Sequence, residues 1–242
     1  MKENIIYSEG HRGACAYRPE NTLLSFEYAL DMGVDAFEFD VWLSSDGVPV
    51  IMHDCNPKRT CGVDGDLREM TLAEIKQLDP CYAEKFGDEY RGQVEVPTLF
   101  EVLELVKSRR PDFKLGVEIK DYREVTVDIT VKALKEYGLF QNCWFYAFNG
   151  RIIRYLKQVY GARTMGYPDF QMKEFLGYSD YDEIGLNMAL VRSELCSFYV
   201  AKGLPVHMYC ADTKEDVELC IERSASLITA NDPAPLLQIL KG

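Results

Sequence analysis

The chain reads as an α/β protein, a (β/α)8 TIM barrel carrying an inserted hairpin and a small capping insertion. Three observations lead there. Short apolar runs alternate with amphipathic helical stretches along nearly all 242 residues, the pattern of repeated βαβ units and a parallel sheet. Nine candidate strands can be drawn, yet only Ser44-Ser45-Asp46-Gly47 separates Leu43 from Val48. A parallel crossover needs roughly a dozen residues, and Asp-Gly is a hairpin signal, so this return strand is antiparallel. Setting it aside leaves eight, the number that closes such a barrel within one domain of this length.

The candidate strands fall at 5–8, 36–43, 48–53, 114–119, 144–147, 163–167, 183–187, 205–210 and 226–229. Within 36–43, Phe37, Phe39 and Val41 alternate with Glu38 and Asp40, as in a strand with two unlike faces. Candidate helices lie between them at 23–32, 72–78, 99–108, 123–137, 150–159, 193–202, 214–222 and 234–240. Thr71…Glu74 and Thr98…Glu101 fit the capping box, and Asp232-Pro233 fits a cap followed by proline at the first helical position. Residues 55–97 are the least regular stretch, and an insertion emerging beside a site is expected to cover it. The whole reads as one domain over residues 1–242.

Residues 11–54 concentrate the chemistry. They contain His11-Arg12-Gly13, Pro19-Glu20-Asn21-Thr22, Glu38-Phe39-Asp40 and His53-Asp54, and so two of the three histidines. Glu38 and Asp40 share a strand face, where burial is costly unless a cation or a hydrogen-bond network satisfies them. The hairpin brings His53 toward that face: a two-residue loop sets it opposite Asp40, a four-residue loop opposite Glu38. Either register collects Phe37, Phe39, Val41, Val48, Val50 and Met52 on the other face. On the next parallel strand Glu118 and Lys120 share a face, which places a third carboxylate beside the first two. Three hard oxygen donors suit a divalent cation, Mg2+ or Ca2+, rather than zinc.

Composition narrows the partners. A formal net charge of −12 argues against nucleic acid and anionic membrane surfaces. No apolar run approaches the ~20 residues of a membrane span, and the first seven residues lack the core of a signal peptide. The eight cysteines show no CxxC pair, which argues against a zinc site and for reduced core thiols, hence a cytoplasmic protein without a stable membrane anchor.

These motifs, in order and at barrel-compatible spacing, resemble the glycerophosphodiester phosphodiesterases, from His11 to the tail Ile228-Thr229-Ala230-Asn231-Asp232-Pro233. The resemblance implies a metal-dependent barrel enzyme that cleaves a small-molecule glycerophosphodiester into glycerol 3-phosphate and an alcohol. It implies Glu38, Asp40 and Glu118 as metal ligands, His11 and His53 as general acid and base, and Arg12 and Lys120 as phosphate contacts. In that family the substrate's own hydroxyl is thought to attack first, giving a cyclic phosphate that water opens. A sphingomyelinase D-like lyase would stop at the cyclic product, and a headgroup-binding barrel would not need both histidines.

Other residues read more plainly. Glu20 is expected to stand behind the site, Asp54 either to orient His53 or to begin a turn, and His207 to be packed or on the surface. Asp180, Asp182 and Glu183 read as a solvated loop. Where the family has Trp-Thr-Val-Asn and Ser-Phe, this chain has Tyr209-Cys210-Ala211-Asp212 and Ala147-Phe148. Phe148 and Tyr209 are expected to wall the substrate pocket, and the change leaves the alcohol preference open.

Overall fold

The structure is a computed structural model that describes residues 5–242. The segment read as lacking a signal peptide lies partly outside it, at residues 1–4. Nine strands form one sheet: β1 (Tyr7–Gly10), β2 (Ala36–Leu43), β3 (Pro49–Ile51), β4 (Lys114–Ile119), β5 (Cys143–Tyr146), β6 (Thr164–Gly166), β7 (Glu183–Asn187), β8 (Val206–Tyr209) and β9 (Ala225–Ala230). Their order is β1-β9-β8-β7-β6-β5-β4-β2-β3, and β1 also pairs with β2. Eight parallel strands therefore close on themselves, while β3 is an antiparallel addition to the upper end of β2.

Alternation along the strands builds two cores. Phe37, Phe39 and Val41 of β2 and Leu115, Val117 and Ile119 of β4 face the helices, where they pack with Phe26, Leu103, Val127 and Ile153. Phe26 stacks on Phe37 with ring centroids 4.6 Å apart. The helices start where the sequence marks them. Thr71 and Thr98 both complete capping boxes, and the Asp232 side chain accepts from the Ala234 N–H ahead of helix Pro233–Lys241.

Inside the barrel, space is tight below the strand ends. A Cβ added at Gly116 would lie 2.4 Å from Glu9 Oε1 and 2.8 Å from a Tyr146 ring carbon. Gly116→Ala is therefore expected to destabilise the fold by about 1–3 kcal/mol, the usual cost of overpacking. A lower denaturation midpoint at unchanged m-value would show it.

Four expectations are corrected, the last of them the hairpin register. The strand expected at 5–8 runs instead over Tyr7–Gly10, because buried Glu9 is satisfied by the Tyr146 and Thr229 hydroxyls at 3.0 and 2.7 Å, while Ile5 is exposed. The helix expected over 193–202 is Leu195–Val200, preceded by a short turn of helix, Met188–Val191, that Asn187 caps. Asp180, Asp182 and Glu183 are no solvated loop: Asp180 and Glu183 are buried, and the three pair with Arg154, Lys157 and Arg163.

The hairpin takes neither expected register. Val41 faces Ile51, Trp42 faces Val50 and Leu43 faces Pro49. Ser44 N–H donates to the Val48 carbonyl, so the loop has three residues, Ser45-Asp46-Gly47, closing on Gly47 at φ +82°. That is a turn ending in a left-handed residue, which glycine supplies without strain. Asp40 thus pairs with Met52, and Val50 and Met52 leave the face assigned to them. They pack with Trp42, Leu67, Ile75, Leu78 and Val96 under the segment 55–97, while Ile51 joins the main core. His53 lies beyond the end of β3, in a bend.

Among the described residues no helix is long and apolar enough to cross a membrane. Segment 55–97 contains the short helices Lys58–Cys61, Leu72–Ile75 and Ala83–Phe86.

Candidate active site

β2 and β4 run in register, with Asp40 beside Glu118 and Glu38 beside Gly116. That register brings oxygens of Glu38, Asp40 and Glu118 within 4.8 Å of one another, all three residues being buried. Glu38 Oε1 and Asp40 Oδ1 have no hydrogen-bond partner, which is costly for buried carboxylates. Burial, then the charges of Asp40 and Glu118, pushes the Glu38 pKa well above its ordinary value. Burial also raises Glu118, although Lys120 opposes it. At Asp40, burial is outweighed by Lys120, His53, Arg12 and the Asn21 amide, which hold its pKa down to about 2. Unpartnered hard oxygens and conflicting charge fit a divalent cation, and this cluster can hold one.

The cations arrive on two different supports. Arg12 sits in a turn at φ +51°, followed by Gly13 at φ +85°. Gly13 is obligatory there, because a Cβ would fall 2.4 Å from Ser25 Oγ and 2.6 Å from the Ser25 carbonyl carbon. The turn aims the Arg12 backbone N–H at Glu38 Oε2, 3.0 Å away, and Nη1 at Glu20 Oε1, 2.7 Å away. Arg12 Nε is 3.5 Å from Asp40 Oδ2 but makes no hydrogen bond, which leaves a buried donor for an anion. Lys120, just past β4, donates to Glu118 Oε1 at 3.0 Å and stands 3.6 Å from Asp40 Oδ1.

The two histidines are held differently. His11 Nδ1 is 2.7 Å from Asn231 Oδ1, while Asn231 Nδ2 donates to Asp212 Oδ2 at 2.7 Å. The Asp212 carboxylate only accepts, so the amide is oriented, His11 carries its proton on Nδ1, and Nε2 is a lone pair. Burial and the Arg12 charge push the His11 pKa down to about 4. His53 Nδ1 faces Asp54 Oδ1 at 2.6 Å, and its Nε2 lies 3.2 Å from Lys120 Nζ. Asp54 therefore does orient His53.

Glu20 stands behind Arg12 and also receives Arg59 Nη1 and Nη2, at 2.9 and 2.7 Å. Burial raises its pKa, but the Arg59 hydrogen bonds and both guanidinium charges outweigh burial and bring it down to about 2. A carboxyl depressed on folding stabilises above its unfolded pKa and loses that contribution as pH falls through the folded one. Glu20→Gln is expected to cost about 1–3 kcal/mol at pH 7. The gap to the wild type should close as pH drops from about 4.5 toward 2. Thermal melts across that range check it, and a gap independent of pH would exclude the ion-pair account.

The cavity over these groups measures about 210 Å³ and is lined by His11, Arg12, Glu38, His53, Glu118 and Lys120 on one side. Phe148, Met165, Tyr167 and Tyr209 line the other. Phe148 stacks on Tyr167 at 3.6 Å, and Tyr209 meets Tyr167 edge-on at 5.8 Å. His207 is buried below, against Glu9 and Thr229, in keeping with a packed histidine. Sequence reasoning missed Arg59, Asn231, Asp212 and Tyr167. Asn231 and Asp212 lay in stretches compared with the family but were given no role, Tyr167 ended a candidate strand, and Arg59 lay in neither a motif nor a periodic pattern.

The profile of the glycerophosphoryl diester phosphodiesterase family matches residues 11–234. The chain belongs to that family. A glycerophosphodiester phosphodiesterase of Caldanaerobacter subterraneus subsp. tengcongensis is 30% identical over 100% of this chain and 99% of its own length. An Oleispira antarctica phosphodiesterase, solved in complex with the product sn-glycerol-3-phosphate, is 27% identical with a TM-score of 0.83, covering 97% of this chain and 96% of that one. A glycerophosphodiester phosphodiesterase from Agrobacterium tumefaciens str. C58 is 25% identical with a TM-score of 0.79, over 97% and 100% of the two chains. As a glycerophosphodiester phosphodiesterase family member, the chain is a phosphoric diester hydrolase on a closed parallel barrel.

Proposed function

We propose that this protein hydrolyses glycerophosphodiesters to glycerol 3-phosphate and an alcohol, with Glu38, Asp40 and Glu118 holding Mg2+ or Ca2+. The observation that carries this is one cavity lined by two cationic side chains, two differently held histidines and the Glu38 and Glu118 carboxylates, with Asp40 completing the buried cluster behind them. When bound, the cation neutralises charge that builds on the phosphate. Arg12 Nε and Lys120 Nζ add donors for the remaining phosphate oxygens.

The proton steps follow from how each imidazole is backed. His11, neutral and with Nε2 unprotonated, takes the proton of the attacking hydroxyl. His53, held at Nδ1 by the Asp54 carboxylate, gives one to the leaving oxygen. The substrate's own hydroxyl attacks first and water then opens the cyclic phosphate. Phe148 and Tyr209 wall the alcohol side. All eight cysteines are free, which supports a reducing, cytoplasmic setting.

The test is release of glycerol 3-phosphate from a panel of glycerophosphodiesters with Mg2+ or Ca2+, followed by phosphorus NMR. Accumulation of a cyclic phosphate as the end product would make the protein a lyase. No turnover with either ion would leave a headgroup-binding barrel.

A further inference from the structure

Arg59 links the segment 55–97 to Arg12 and His53 of the cavity. Arg59 lies on the short helix Lys58–Cys61 within that segment. Its Nη1 and Nη2 form a fork on Glu20, and its Nε donates to Asp54 Oδ2 at 2.6 Å. Each of those carboxylates uses its other contact on a residue of the cavity. Glu20 Oε1 accepts from Arg12 Nη1 at 2.7 Å, and Asp54 Oδ1 faces His53 Nδ1 at 2.6 Å. The order in space is therefore Arg12, Glu20, Arg59, Asp54, His53.

Arg59 is itself held. Its guanidinium lies 5.1 Å from the centre of the Tyr82 ring, and Tyr82 N–H donates to the Thr60 carbonyl at 2.9 Å. Tyr82 adopts φ +53°, a strained conformation for a residue with a side chain, so the chain bends sharply where it meets Arg59. Two short helices of the segment thus converge on one side chain.

We propose that Arg59 is a positioning residue that fixes Arg12 and His53 relative to each other, through Glu20 and Asp54. This rests on the phosphodiesterase reading for its kinetic consequences but not for its geometry. Three donors of one planar guanidinium serve two carboxylates at once, which a lysine ammonium cannot reproduce. Without Arg59, Glu20 and Asp54 lose the group that sets their separation. Arg12 and His53 then sample positions away from the phosphate and the leaving oxygen. The segment that carries Arg59 accordingly has a part in catalysis although none of its residues touches the carboxylate triad.

The experiment uses the full chain with its divalent ion. Arg59→Lys, Arg59→Ala, Asp54→Asn, Glu20→Gln and the corresponding doubles are compared with wild type, with thermal melts as the control for folding. Arg59→Lys is expected to lose roughly 10–100-fold in kcat/KM, the scale of losses when a group behind a reacting side chain is removed. Adding Asp54→Asn to Arg59→Lys should cost much less than Asp54→Asn alone, since the two act as one unit. Free guanidinium should partly restore Arg59→Ala. The His53 Nδ1 proton resonance should shift or broaden in Arg59→Lys.

Arg59→Lys within about twofold of wild type, or losses that simply add to those of Asp54→Asn and Glu20→Gln, would overturn the proposal. So would an activity loss that follows the melting temperature. If wild type cleaves no glycerophosphodiester, the functional reading fails and the His53 resonance decides alone. An unchanged resonance in Arg59→Lys then rejects the positioning role, and a shifted one upholds it.

Discussion

Glu38→Gln is expected to abolish most turnover while raising the melting temperature of the metal-free protein. The two effects have one cause. Glu38 is buried beside Asp40 and Glu118, and one of its oxygens has no partner. Glutamine keeps the shape and the acceptor for the Arg12 N–H, removes a charge, and offers an amide to its carboxylate neighbours. A gain on the order of 1 kcal/mol corresponds to roughly 2–4 °C in a protein of this size. The sign with pH follows from the raised pKa of Glu38. A carboxyl raised on folding loses stability as pH climbs from its unfolded value through the folded one, so the advantage of glutamine should grow with pH. In the presence of the ion the ranking should invert. Wild type gains about 2.7 kcal/mol at an ion concentration 100-fold above Kd, whereas the variant, short of one ligand, gains less. Turnover should fall roughly 10²–10³-fold, and a chelator should remove wild-type activity. Full activity in excess EDTA, together with a melting temperature indifferent to Mg2+ and Ca2+, would take the triad out of the mechanism.

His11→Ala and His53→Ala should each lower kcat by roughly 10²–10⁴-fold, but they should respond differently to the leaving group. His53 is assigned to the leaving oxygen, so its loss should matter little when that oxygen departs without help. A glycerophosphodiester of p-nitrophenol provides such a leaving group. On that substrate His53→Ala should recover much of its rate, while His11→Ala should stay as slow as on an alkyl diester. Recovery by His11→Ala instead would exchange the two roles. Recovery by neither would mean that bond cleavage to the alcohol is not what His53 assists. The different backing of the rings is the basis for the assignment: a neutral amide oriented by Asp212 behind His11, and a carboxylate behind His53.

What could be read from the sequence was what obeys a period or a fixed spacing. Strand β2 was legible because its two faces are chemically opposite, and the capping boxes because Thr and Glu must stand three apart. The carboxylate cluster followed from the same alternation extended to β4. The start of β1 was not legible: buried Glu9 breaks the apolar run, and its hydroxyl partners come from Tyr146 and Thr229, far away in the chain. Asn231, Asp212 and Arg59 escaped for a related reason. Each acts on a side chain distant in sequence, through hydrogen bonds that leave no periodic trace.

The three-residue turn Ser45-Asp46-Gly47 has a consequence for how the barrel tolerates change. Residues on the two arms of a hairpin alternate together, so the loop's length, odd or even, decides which of them point which way. With three residues, Val50 and Met52 supply the floor on which segment 55–97 is built, and Ile51 is given to the barrel. Deleting a single loop residue would exchange the two sets and leave the segment without its floor, though no side chain of the cavity had been altered. The loop is a parity bit for the molecule: it lies outside the chemistry, yet it sets which side of the hairpin receives the segment that carries Arg59.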